Sequence, residues 1–167
     1  MCFLSEMPRL PLAPADGSPF AFVQELTSER RDALIACAGQ YPTFHLLGMQ
    51  IGDIATDFCR IGLTHRLELS NPMGGLHGGI ITTTLDTAVG FAMVTTMKEG
   101  FVIGTVGLGV KFFKPLLEGR AIAEARIQRK GRNIVFADAR LTSASGELLA
   151  AGTCIYMPVP LTVERAA

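Results

Sequence analysis

Residues 71–97 have the sequence NPMGGLHGGIITTTLDTAVGFAMVTTM and decide the fold. The first nine residues contain four glycines and the pair Asn71-Pro72, which is typical of a turn-forming loop. From Ile80 to Met97 the apolar residues are spaced for one broad helical face, and a helix of that length spans about 27 Å. This length approaches that of a membrane span, but Asp86 and several threonines favour a core helix that a sheet must cover.

The sequence on both sides of this helix predicts an antiparallel sheet. Two strands are expected between Leu46 and Leu69, and others over residues 104–113, 121–128, 134–142 and 148–157. In residues 104–113 we place Val106, Leu108, Val110 and Phe112 on one side. Short connections favour hairpins, so the later strands should form a meander. The fold class is therefore α+β, with a sheet wrapped around one long helix.

The chain ends are predicted to differ from the central domain. Residues 1–27 hold four of the nine prolines and resemble an irregular arm. A short helix is expected from Ser28, which could cap it, to Gly39, with a break at Pro42. We therefore divide the chain into an arm and short helix (1–40), the main domain (41–160) and a tail (161–167).

Composition excludes several classes of protein. Of 167 residues, 49% are apolar and 18% are charged, with 15 basic and 15 acidic side chains. Intrinsic disorder needs the opposite balance, and a nucleic-acid binder usually carries a net positive charge, so we expect neither. The apolar surplus indicates surface buried in an oligomer or around an apolar ligand.

The cysteines and histidines are scattered, which predicts neither a zinc site nor a disulfide scaffold. Charged residues and prolines occupy the N-terminal region where a signal peptide would need an apolar core. We expect a reduced, cytoplasmic protein that does not cross a membrane.

Two features at the long helix could carry chemistry. Gly78 and Gly79 lie where the helix should begin, and unpaired N–H groups there could hold a developing oxyanion. The alternative is that these glycines only make a tight turn. Asp86 lies among small and apolar residues, where a carboxylate could act as general base or nucleophile. The alternative is an exposed or paired aspartate on a polar side of the helix.

Three other polar residues near these features are candidates. His77 could be catalytic, although we favour a role in orienting the loop. Asn71 could orient a water molecule or simply form the turn. Thr105 could be an ordinary strand residue or a hydroxyl donor behind the site. A nucleophilic serine or cysteine is weakly supported, because the chain has no GxSxG motif.

Charge is unevenly distributed along the chain. Residues 111–132 contain seven basic and two acidic side chains, a net charge of plus five, so the rest carries minus five. A positive region on a neutral protein could hold a phosphorylated ligand. The alternative, solvent-facing residues of antiparallel strands, explains Arg129, Lys130 and Arg132 at one turn least well.

Together these residues resemble the hotdog-fold acyl-CoA thioesterases of the phenylacetate-pathway type and thioesterase superfamily member 2. The resemblance rests on Asn71, the triplet His77-Gly78-Gly79 and Asp86 at that spacing. It extends through residues 104–106, 111–115, 129–133 and 146–150, and covers about Phe44 to Met157. It implies a hotdog fold, and homodimers with one continuous sheet that commonly pair into homotetramers.

The resemblance also implies roles. The Gly78 N–H would polarise the thioester carbonyl, and Asp86, from the neighbouring subunit, would act as base or nucleophile. Asn71 would position water or the carbonyl, Thr105 would assist at the water, and His77 would orient the loop. Gly79 would contact substrate, and Arg129, Lys130 and Arg132 would approach the CoA phosphates. CoA enters as part of the substrate, and no separate cofactor or metal is expected. The alternatives are a non-catalytic module that binds acyl-CoA or another apolar ligand, and a hydratase of the same fold.

Overall fold

The computed structural model describes Phe22 and residues 25–160, which form three α-helices and a six-stranded antiparallel sheet. The helices are α1 (Ser28–Ala38), α2 (Pro42–Leu47) and α3 (Gly78–Val94). The strands are β1 (Gln50–Ala55), β2 (Phe58–Thr64), β3 (Phe101–Phe112), β4 (Arg120–Lys130), β5 (Val135–Ser143) and β6 (Leu148–Pro160). The predicted α+β hotdog architecture is confirmed. Most of the predicted arm and the whole predicted tail, residues 161–167, lie outside the described residues.

Helix α3 is the centre of the core. It packs mainly on β2, β4 and β5. Nine of its residues are buried, and they lie around most of the circumference of the helix. The facing positions of β4 are the fully buried Ala121, Ala123 and Ala125. Small side chains there let the helix approach the sheet closely, which explains why an alanine-rich strand faces an apolar helix.

The ends of α3 differ from the predicted range Ile80 to Met97. The helix begins at Gly78 because His77 caps it, and it ends at Val94. Near that end the Thr95 hydroxyl bonds back to Ala92 O, and the Arg30 guanidinium from α1 donates to Val94 O. Side chains therefore satisfy donors or acceptors at both ends, which fixes the length of the helix.

The first helix is capped by Thr27, so the predicted cap at Ser28 is wrong. The Thr27 side-chain oxygen accepts from Arg30 N at 3.3 Å, and Ser28 is the first helical residue. A helix cap needs a side-chain oxygen that accepts a hydrogen bond from a free N–H of the first turn. Thr27, with extended backbone directly before the helix, supplies that oxygen in place of Ser28. Pro42 interrupts the chain as predicted, and it also begins the second helix.

The sheet has the order β1-β2-β4-β5-β6-β3. The predicted meander holds for β4, β5 and β6, but β3 pairs with β6 and is not adjacent to β4. The connection over residues 113–119 is too long for a tight hairpin, and it crosses the end of the sheet. Its backbone bonds to Leu149, to Leu76 in the loop before α3, and to His65 after β2. This crossing joins the loop before α3 to the far edge of the sheet.

Strand β3 is an edge strand with a bulge. Its pairing with β6 shifts between Thr105 and Gly107, so Val106 has no paired residue and is 56% exposed. The predicted common side for Val106, Leu108, Val110 and Phe112 is therefore broken at Val106. A bulge adds one residue to one strand and reverses the side on which the following residues point.

Candidate active site

The loop before α3 is held by Asn71. Its side-chain oxygen accepts hydrogen bonds from Met73 N at 2.9 Å and Gly75 N at 3.2 Å. Its backbone N–H also bonds to Gly75 O at 2.8 Å. With the oxygen used inside the loop, the side-chain NH₂ is the group left to contact a ligand.

His77 is the cap of α3. Its Nδ1 accepts from Gly79 N at 2.9 Å, so in the neutral ring the proton lies on Nε2. A Cβ atom on Gly79 would lie 3.0 Å from that Nδ1, so the His77 ring would have to give by a few tenths of an ångström. Glycine at position 79 therefore fits the cap without displacing the histidine.

The Gly78 N–H has no hydrogen-bond partner among Phe22 and residues 25–160. It lies at the start of a 17-residue helix, where backbone N–H groups carry partial positive charge. The Phe112 ring borders it, 3.5 Å from the position a Cβ on Gly78 would take. This end of α3 thus offers a free donor beside an aromatic wall.

Asp86 lies near the middle of α3 and is half-buried. Its Oδ1 accepts from the Thr105 hydroxyl at 3.2 Å and from the Tyr156 hydroxyl at 2.5 Å. Its Oδ2 has no partner in the described part of the chain. Every buried side-chain nitrogen or oxygen there has one, so the unpaired Oδ2 reaches solvent. Asp86 is therefore neither a simple surface residue nor one half of an ion pair.

Tyr156 was not anticipated from the sequence. Burial raises the pKa of its phenol far above the ordinary value, and the hydrogen bond to Asp86 raises it further. The residue is 1% exposed and pairs with Thr105 across β3 and β6. The signal that could have found it was a lone polar tip on the buried face of a strand, because such a group needs a partner.

The two chemical centres are separated along α3. Asp86 follows Gly78 by eight positions along the helix, a rise of about 12 Å. The Gly78 N–H and the Asp86 carboxylate of one chain therefore cannot contact the same carbonyl group. The structure brings Asn71, His77, Gly78 and Gly79 together at one end, and pairs Asp86 with Thr105 further along.

The basic turn lies at the opposite end of the helix from Gly78. Lys130 is held there by Asp57 Oδ1 at 2.7 Å and Thr96 Oγ1 at 2.9 Å. Arg129 and Arg132 are exposed and form no ion pair with the described residues. Within one chain, the predicted CoA-contacting residues are therefore distant from the predicted oxyanion donor.

Two cysteines in the core are poor nucleophiles. Burial raises the pKa of Cys154 to about 12, with smaller contributions from Asp86 and Asp138. Burial likewise raises the pKa of Cys59 to about 12. Both thiols stay protonated at neutral pH, when only the thiolate would be reactive.

Within the residues described, no group of three or more His, Cys, Asp or Glu side chains could hold a metal ion. None of the described helices has the length and apolar character needed to cross a membrane.

The segment with the loop, α3 and most of the sheet can be compared with known families. Residues 73–150 match the thioesterase superfamily. The resemblance to hotdog thioesterases is therefore confirmed at that level, and the matched segment contains His77, Gly78, Asp86 and the basic turn.

Individual proteins agree with this match. A Saccharolobus solfataricus protein with the provisional name of an esterase is 26% identical over 113 residues, 66% of this chain and 73% of that protein. A thioesterase family protein from Silicibacter pomeroyi is 26% identical, with a TM-score of 0.71 over 76% of this chain and 96% of its own. The PaaI protein of the E. coli phenylacetic acid degradation operon is 18% identical, with a TM-score of 0.69 over 74% of this chain and 88% of its own. At this identity the likeness shows that the two proteins share a fold. These matches support a thioester hydrolase.

Proposed function

We propose that the protein is an acyl-CoA thioesterase, which hydrolyses an acyl-CoA to the free acid and CoA. The observation that carries the proposal is Asp86, a half-buried carboxylate on an apolar helix, held through Oδ1 with Oδ2 open to solvent. A carboxylate oxygen with no partner can accept a proton from water or attack a carbonyl carbon. The match to the thioesterase superfamily indicates that the bond to be cleaved is a thioester.

The chemistry needs few groups. In the base route, Asp86 Oδ2 takes a proton from water as the water oxygen bonds to the thioester carbon. In the nucleophile route, Oδ2 bonds to that carbon and water later cleaves the anhydride. In both routes the carbonyl oxygen becomes negative beside the Gly78 N–H, and the C–S bond breaks to release a thiolate. His77 serves by fixing this helix end, and the Asn71 NH₂ and Thr105 hydroxyl serve at the carbonyl or the water.

A second copy of the chain completes the proposed site. Gly78 and Asp86 of one chain are about 12 Å apart along the helix, so the pair at one thioester comes from two chains. Strand β3, 12 residues long, has one edge that no described strand pairs with, and it contains one charged residue, Lys111. Antiparallel pairing of two such edges would give a homodimer with a continuous sheet, and two dimers could pair into a homotetramer. The exposed Arg129 and Arg132 would then meet the CoA phosphates from a neighbouring chain, with Lys130 beside them.

The first test is thioester turnover by wild type and Asp86→Asn. Straight-chain and aromatic acyl-CoA esters are supplied, and free thiol is measured. We expect turnover of at least one ester and a loss of about a hundredfold or more in Asp86→Asn, because the amide cannot accept the proton. Asp138→Asn is the matched control, since Asp138 lies on the exposed face of β5. Wild-type turnover in Asp86→Asn would overturn the mechanism, and tight acyl-CoA binding without turnover by wild type would favour the non-catalytic module.

A further inference from the structure

Both hydroxyl groups that reach Asp86 contact the same carboxylate oxygen. Tyr156 lies 2.5 Å and Thr105 3.2 Å from Oδ1, while Oδ2 has no partner among the described residues. The Tyr156 hydroxyl also lies 2.8 Å from the backbone oxygen of Asp86. One phenol therefore contacts the side chain and the main chain of the same residue, which fixes the rotation of the carboxylate relative to α3.

Tyr156 is suited to hold a group still. Its ring is 1% exposed in the core between α3 and the sheet, so the hydroxyl has little freedom to move. Thr105, in contrast, is exposed on the edge strand. Of the two donors to the charged Oδ1, the buried tyrosine at 2.5 Å forms the shorter hydrogen bond and the exposed threonine at 3.2 Å the longer one.

We propose that Tyr156 is the positioning residue for Asp86: its hydroxyl holds Oδ1 and thereby presents Oδ2 to the thioester or its attacking water. This inference rests on the proposed thioesterase function and adds a residue to it. The phenol does not touch the substrate, and it exchanges no proton in the reaction. It acts by orienting the carboxylate through a hydrogen bond.

The surroundings leave Tyr156 as the dominant buried donor. The groups that face Asp86 are Thr105 from β3, with Tyr156 and Cys154 from β6. The pKa of Cys154 is raised to about 12, so its thiol does not ionise over the acidic range. Burial raises the pKa of Tyr156 as well, so the phenol keeps its proton at neutral pH.

Tyr156→Phe removes only the hydroxyl. We expect kcat to fall about 10- to 100-fold while KM changes less than about threefold. The matched control is Tyr41→Phe, which removes the hydroxyl of the other tyrosine in the chain and should match wild type.

A double-mutant cycle separates positioning from general stability. In the Asp86→Asn background, Tyr156→Phe should cause no further loss of the residual turnover. An equal loss in both backgrounds, or wild-type kcat in Tyr156→Phe, would overturn the inference. Absence of thioester turnover by the wild-type protein would instead overturn the proposed function, so the two failures are distinguishable.

A second variant preserves the shape of the core should Tyr156→Phe fold poorly. The chain has two tyrosines, so in the Tyr41→Phe background biosynthetic 3-fluorotyrosine replaces Tyr156 alone. The fluorine leaves the hydroxyl in place and reports its hydrogen bond through the fluorine NMR resonance. This resonance should shift between the protein with Asp86 and Asp86→Asn, because the phenol donates to the Asp86 carboxylate. An unchanged resonance would contradict the inference.

Discussion

The contact between His77 and Gly79 shows how one atom can position a functional group. The Nδ1 of His77 takes the Gly79 N–H, and this leaves the preceding N–H, that of Gly78, as the free donor at the helix start. Without the cap, the first turn of α3 would fray and the Gly78 N–H would lose its fixed direction. Preorganised donors are effective because they need no reorientation during the reaction.

Gly79→Ala tests this cap. The added Cβ would lie 3.0 Å from Nδ1 and 3.2 Å from Cε1 of His77, so the ring must shift by a few tenths of an ångström, which weakens the cap hydrogen bond. We expect kcat to fall about tenfold or more, and the free energy of unfolding to fall by about 1 kcal/mol, typical of a lost helix cap. Gly52→Ala is the control, because a Cβ there meets its nearest atoms at 3.8 Å. Thiol release and urea unfolding measure the two effects, and full activity in Gly79→Ala would contradict the assigned role of the cap.

At the residue scale, the sequence predicts the positions that local spacing defines. His77, Gly78 and Gly79 share one helix start, and Asp86 is conspicuous because its neighbours are apolar. Tyr156 could not be found in this way, because its contact with Asp86 joins residues 70 positions apart. Lys130 illustrates the same difficulty, since its partner Asp57 lies in the turn between β1 and β2.

At the scale of elements, Glu124 joins three strands on the outer face of the sheet. Its two carboxylate oxygens accept from Arg60 of β2 at 2.5 Å and from Arg140 of β5 at 2.6 Å. The hydrogen bond from Arg140, joined by one from Arg60, holds the pKa of Glu124 below its ordinary value against the opposing effect of burial. The ionised form is thus favoured in the folded protein.

Glu124→Gln should therefore destabilise the protein in a pH-dependent way. Because the folded pKa is depressed, the stabilisation is present at neutral pH and is lost as pH falls through the folded value, below 4.5. We expect a loss of about 1 kcal/mol at pH 7, modest because both arginines are largely exposed, and a smaller difference in acid. The control Glu147→Gln removes the exposed pair with Lys114 and should cost less than about 0.5 kcal/mol. Urea unfolding at several pH values measures both, and a constant difference down to acid pH would contradict the prediction.

Periodicity predicts the helices and strands themselves well, but it does not predict which strands pair in the sheet. Strand β5 alternates Val135, Ala137, Ala139 and Leu141 towards the core, as local pattern predicts. The pairing of β3 with β6 depends instead on how a seven-residue connection crosses the sheet, which alternation does not encode. The bulge at Val106 is hidden for the same reason, since only the partner strand reveals an extra residue.

At the scale of the whole molecule, the exposed edge of β3 connects fold to function. Long edge strands usually carry charges or prolines that prevent pairing, and β3 contains neither proline nor more than one charge. The apolar surplus of the composition agrees with a face that a second copy covers. If Gly78 and Asp86 act from different chains, assembly and turnover must be lost together.

Val106→Lys tests that coupling. Val106 is 56% exposed at the bulge of β3, so a lysine there is tolerated by a single chain but places two like charges near each other where two edges pair. We expect a shift from dimer or tetramer to monomer in analytical ultracentrifugation, with turnover at least tenfold lower at the same protein concentration. Ile35→Lys, on the exposed side of α1 at 37% exposure, is the control and should keep both assembly and turnover. Activity of the variant should recover as its concentration rises, because mass action restores the paired edge. A monomer with undiminished kcat would show that Gly78 and Asp86 do not need a second chain.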